Sequence, residues 1–106
     1  MDITCEYQGS IDTLIIGQVA EHVIAVVREL LSNAIRHSGA KRVKVKIHAV
    51  KTRCGIWVQD DGVGFCEGER KSGLLNLARR AEENGGAFEI RQLSHGGTEA
   101  VWSIAF

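Results

Sequence analysis

From Val19 onward, apolar residues return at three- and four-residue intervals: Val19, Val23, Val27, Leu30 and Ala34. That period places them on one side of a helix and predicts a helix over 18–37, with an apolar arc from Val19 to Ile35. The opposite side is a narrow polar strip of His22, Glu29, Asn33, Arg36 and His37. Glu29, Asn33 and either Arg36 or His37 follow one another at i, i+4 and i+7 or i+8, so they share a face. Gly39 suits the left-handed position that ends such a helix.

The period then changes to two. In "RVKVKIHAV", Val43, Val45, Ile47 and Ala49 face one way and Lys44, Lys46 and His48 the other, a half-exposed strand. "CGIWVQD" is a second strand with Ile56, Val58 and Asp60 in one phase. A short polar connection runs between 65 and 72. Ser72 is the expected N-cap of a helix with Leu74, Leu77, Ala78 and Ala81 on its apolar face, stopped by "NGG". "AFEIRQL" and "TEAVWSIAF" read as strands joined by "SHGG", and "DITCEY" as a short first strand. The order strand, helix, two strands, helix, two strands predicts an α+β fold. We expect a two-layer α/β sandwich, its mixed sheet carrying helices on one face.

Composition narrows the function. A chain of 106 residues reads as one domain, 1–106, and 13 basic against 13 acidic residues lacks the basic excess of a nucleic-acid binder. No run of about 18 apolar residues is present, so no membrane span or membrane contact is expected. "MDITCEYQGS" lacks the form of a secretory signal. Three cysteines (Cys5, Cys54, Cys66) without a CxxC pair argue against a disulfide framework or structural zinc, and for a cytoplasmic setting.

The candidate chemistry centres on "QDDGVGF". A dinucleotide fingerprint needs a third glycine at position 67, where Glu67 stands, and no Gly-Lys-Ser/Thr follows for a Walker loop. Asp-Gly is also a common hairpin turn. Asp60, however, shares the phase of Ile56 and Val58, and a carboxylate aimed at the apolar side must find a hydrogen-bond donor. A ligand amino group beside glycines that admit a flat ring meets that need. The helix strip fits either a solvated face or a row of oxygen ligands and donors for Mg²⁺ and phosphates. Lys71 and Gly73 stand at a helix start, where anions are favoured. Thr98 shares the phase of Ala100, Trp102 and Ile104, so its hydroxyl turns inward.

In this order, "ELLSNAIRH", "DDGVG", "SGLLNLARRAEENGG" and "GGT" resemble the N, G1, G2 and G3 boxes of one ATPase superfamily. It is the Bergerat-fold (GHKL) superfamily shared by DNA gyrase, heat-shock chaperones, sensor histidine kinases and MutL. The resemblance extends over essentially the whole chain. Within the superfamily the chain is most similar to the catalytic ATP-binding domain of a bacterial two-component sensor histidine kinase. The nitrate-type, short-lid subgroup fits best, and the G2 stretch is also similar to that of actinobacterial haem-based gas-sensor kinases.

The resemblance implies that Asn33 coordinates Mg²⁺ and that Arg36 and His37 contact the ATP phosphates. Asp60 would accept from the adenine amino group, with Gly62 and Gly64 lining the ring and Thr98 supporting the contact. Lys71, Gly73 and Leu74 would border the lid. Glu29, where most histidine kinases carry asparagine, is left open between metal shell and general base. The reaction implied is transfer of the γ-phosphoryl group to a histidine of a dimerisation domain, with a response regulator downstream. An "ELHD"-like acceptor context is missing, so a monomeric catalytic piece lacking its own acceptor is expected. An anti-sigma-factor serine kinase on the same fold is the alternative.

Overall fold

The computed structural model describes residues 2–10, 14–37, 39–62, 71–94 and 96–105, without the side chains of Arg36, His37, Lys71 and Ser72. In chain order these form β1 (Asp2–Gly9), α1 (Gly17–Ser32) running into a π-helical turn (Asn33–His37), β2 (Arg42–Val50) and β3 (Arg53–Asp60). Then come α2 (Lys71–Glu83), β4 (Ala87–Gln92) and β5 (Thr98–Ala105). The sheet order is β1-β2-β3-β5-β4, with β1 parallel to β2 and every other pairing antiparallel. This is the expected mixed sheet. α1 supplies the crossover between the parallel pair β1 and β2, and α2 lies on the connection that carries the chain from β3 past β5 to β4.

The alternating strands set the core. Val43, Val45 and Ile47 of β2, Cys54, Ile56 and Val58 of β3, and Ala100, Trp102 and Ile104 of β5 are buried on one face. Val23, Val26 and Leu30 of α1, with Leu77 and Ala81 of α2, close over them in a single cluster. Trp102 is the largest fully buried side chain, and its Nε1 donates to the Leu77 carbonyl at 3.0 Å. That bond ties β5 to α2 and satisfies the one polar atom of the indole. Cys5 is exposed and Cys54 buried, both as free thiols, and burial pushes Cys54 up to about 11. Cys66 lies outside the described residues.

Three local expectations change. The helix predicted as one element is α-helical to Ser32, with the Asn33 N–H still shared between the Glu29 and Leu30 carbonyls, and π-helical from Asn33 to His37. Ile35, placed in the apolar arc by the 3.6-residue period, is 46% exposed, while Ala34 stays buried. Ser72 is not the N-cap, since α2 already includes Lys71. Gly39 does take the left-handed conformation, with φ 62°.

Candidate functional site

Asp60 ends β3, the middle strand of the sheet, with Val43 of β2 on one side and Thr98 of β5 on the other. Its phase turns the carboxylate to the helix-covered face, where the residue is 9% exposed. Oδ1 accepts from the Gly62 N–H at 2.8 Å, a local Asx-type bond that fixes the rotamer. A carboxylate has about four lone-pair sites, and the Gly62 bond uses one of them. Thr98, its register partner, is 5% exposed, and among the described residues Oγ1 has no hydrogen-bond partner. An acid and a hydroxyl thus lie side by side, buried, at one end of the sheet.

The "GG" before Thr98 explains how β5 comes so close. Gly97 has φ 97°, and a Cβ there would overlap the Asp60 carbonyl oxygen and lie 3.4 Å from the Asp61 Cα. A tight turn, with Leu93 N–H to the Gly97 carbonyl at 2.9 Å, delivers the strand to that spot. Only glycine meets both demands.

Asp61 is a residue that sequence reasoning left without a role. The strand alternation turns it away from its neighbour, and its Oδ1 accepts from Lys41 N–H at 2.8 Å and Arg42 N–H at 2.9 Å. Those two bonds pin the start of β2 to the end of β3 and hold the carboxyl below the ordinary carboxylate range. A lowered folded-state value means a contribution that is full above the unfolded value, near 3.9, and lost as pH falls through the folded one. The stability difference between wild type and Asp61→Asn should therefore be constant from about pH 5 upward and shrink below about pH 4. Denaturant unfolding across that range checks it, and a difference that grows on acidification would contradict the assignment.

The described part of the polar strip of α1, His22, Glu29 and Asn33, is not a solvated face. Asn33 is buried at 6% exposure, and His22 and Glu29 are half-buried against α2. The Arg80 Nη1 lies 2.8 Å from His22 Nδ1, and the Glu29 carboxylate sits where a Gly73 side chain would begin. Leu74 packs on the core cluster beside this seam. The structure thus pairs Asp60 with Gly62 and Thr98, and Glu29 with Gly73, both sets on the helix side of the sheet. Arg36 and His37 follow Asn33 in the π-helical turn, so their positions no longer continue the 100° steps that aligned them with Glu29. The side chains of Arg36, His37 and Lys71, and the whole of Gly64, lie outside the described residues.

Among the described residues no three His, Cys, Asp or Glu side chains form a metal cluster. The oxygen donors of this strip are the Asn33 amide and the Glu29 carboxylate, both suited to a hard cation.

The family model for histidine kinase-, DNA gyrase B-, and HSP90-like ATPases matches residues 18–105. The nitrate/nitrite sensor protein NarX of Escherichia coli K12 is 34% identical over 91 residues, covering 83% of this chain and 15% of that protein. The sensor histidine kinase LiaS of Bacillus subtilis is 35% identical over 91 residues, 83% of this chain and 25% of that protein. The crystal structure of the ATP-binding domain of PrrB from Mycobacterium tuberculosis superposes with a TM-score of 0.63 at 26% identity, covering 80% of this chain and 67% of that one. The chain therefore spans a quarter or less of the length of these two curated relatives.

Proposed function

The chain belongs to the family of histidine kinase-, DNA gyrase B-, and HSP90-like ATPases, and on that premise we propose that it binds Mg-ATP to phosphorylate a histidine. The acceptor would lie in the dimerisation domain of a two-component sensor kinase. The observation that carries the nucleotide reading is the buried Asp60 carboxylate beside the buried Thr98 hydroxyl, which has no partner among the described residues. Asp60 accepts from the exocyclic amino group of adenine, and Thr98 supports the contact directly or through a water. Gly62 and Gly64 would line the ring, Gly64 lying outside the described residues.

The phosphates belong at the α1 strip. Asn33 offers an amide oxygen to the cation, and Arg36, His37 and Lys71 offer donors to the anion. Mg²⁺ bound there supplies charge neutralisation for the triphosphate. A cation held chiefly by phosphate oxygens needs only one or two protein ligands, which suits a strip whose described residues hold no acidic cluster. Gly73 and Leu74 mark the far edge of the lid. Phosphoryl transfer asks mainly for positioning and charge neutralisation. In this reading residues 1–106 are the catalytic piece of a longer kinase, acting in the cytoplasm as a monomer until joined to its dimerisation domain. A response regulator takes the phosphoryl group afterwards.

The test has two stages. Calorimetry should detect ATP binding that strengthens with Mg²⁺, and no binding of either form overturns the nucleotide reading. Incubation with γ-labelled ATP should leave the chain itself unlabelled. It should instead label a separately supplied dimerisation domain at an acid-labile phosphohistidine. Acid-stable phosphoserine on an added partner would point to the serine-kinase class.

A further inference from the structure

Gly73 is an unexpected residue for its place. It stands within the first turn of α2 and is not among the glycines with positive φ, so its backbone does not call for glycine. Glycine within a helix is less favourable than alanine. The explanation lies across the seam. A Cβ built on Gly73 would overlap Glu29 Oε1 and come within 2.9 Å of its Cδ. Two helical turns back along α1 and two turns on along α2, Arg80 Nη1 meets His22 Nδ1 at 2.8 Å. The two contacts run in opposite chain directions, so α1 and α2 cross antiparallel and touch at two fixed points. The carboxylate also sits by a helix N-terminus, the end that favours negative charge.

We propose that Glu29 is a positioning residue, whose carboxylate seats on the bare Cα of Gly73 and sets where α2 begins relative to Asn33. Asn33 follows one turn later on α1, with its N–H bonded to the Glu29 carbonyl. The seat therefore links the cation ligand to the end of the lid, and this consequence rests on the Mg-ATP reading above. The contact itself does not. It makes any side chain at 73 compete for one place with the Glu29 carboxylate, which, as the free end of a flexible side chain, would leave its seat.

A double-mutant cycle on the full chain separates the two. Because unseating the carboxylate offsets the helix gain, Gly73→Ala should bring no gain in thermal midpoint while Glu29 is present. In a Glu29→Ala background the same change should raise it by about 2 to 6 °C, the ordinary gain of replacing glycine in a helix. Glu29→Gln keeps the shape without the charge, so Gly73→Ala should bring no gain there either. Mg-ATP affinity should follow. Gly73→Ala should lose about tenfold with Glu29 in place, and less than about twofold in the Glu29→Ala background, for an unseated carboxylate. Equal effects of Gly73→Ala with and without the Glu29→Ala change, in sign and size, overturn the proposal. If Gly73→Ala does not fold, recovery of folding by Glu29→Ala supports the seat, and failure to recover sinks it. Should none of the proteins bind ATP, the nucleotide reading falls while the midpoints still decide the contact.

Discussion

Trp102→Ala should cost about 3 to 5 kcal/mol, the range for emptying a large buried aromatic site. Trp102 is fully buried at the centre of the core, and its indole N–H holds the Leu77 carbonyl of α2 at 3.0 Å. The substitution removes the packing between sheet and helix and the bond that fixes their distance. A domain of this size has about 5 to 15 kcal/mol in total, so the variant should unfold at least about 12 °C earlier or not fold at all. Trp102→Phe separates the two contributions. It keeps most of the ring and loses the hydrogen bond, so about 1 to 2 kcal/mol is expected. Thermal denaturation of both variants is the measurement. A midpoint for Trp102→Ala within a few degrees of wild type would mean that the sheet–helix interface is not where the stability lies.

Asp60→Asn should weaken ATP binding by about tenfold to a hundredfold, the range for a hydrogen bond to a charged group. The change is nearly isosteric, and an amide oxygen can still accept from the Gly62 N–H, so the fold should persist. What changes is the second atom. A carboxylate can only accept, whereas the amide nitrogen donates, and a donor facing the adenine amino group leaves both unpaired. Guanine carries an oxygen where adenine carries that amino group, so the preference for ATP over GTP should narrow in the same variant. Calorimetry with both nucleotides reads the two effects, and circular dichroism guards against a folding artefact. Unchanged ATP affinity in a folded Asp60→Asn protein would remove Asp60 from the base-reading role proposed for it.

Much of the architecture was legible from periodicity. The period of two in "RVKVKIHAV" names the faces of β2 residue by residue, and the shared phase of Ile56, Val58 and Asp60 places the acid on the core side of β3. Thr98 follows from the same rule on β5. These inferences succeed because strand alternation is geometric and tolerates little variation. The helical period was less dependable. It failed at Asn33, where a change of backbone bonding costs little locally and rotates everything after it, so Ile35 left the core. Asp61 went unassigned for a different reason. Its partners are backbone N–H groups of Lys41 and Arg42, about twenty residues back, and no side-chain pattern announces a backbone donor.

The order of the elements, the inward-facing residues and the acid-and-glycine motif were therefore decided by the sequence alone, because each depends on spacing within one segment. Pairing across segments was decided only by the tertiary structure. Asp60 lies beside Thr98 because β5, rather than β4, takes the place next to β3. The polar strip of α1 faces a helix rather than water because α2 crosses over it, with Glu29 against Gly73 and His22 against Arg80. Such contacts join residues dozens of positions apart, and only the packed chain brings them within reach of each other.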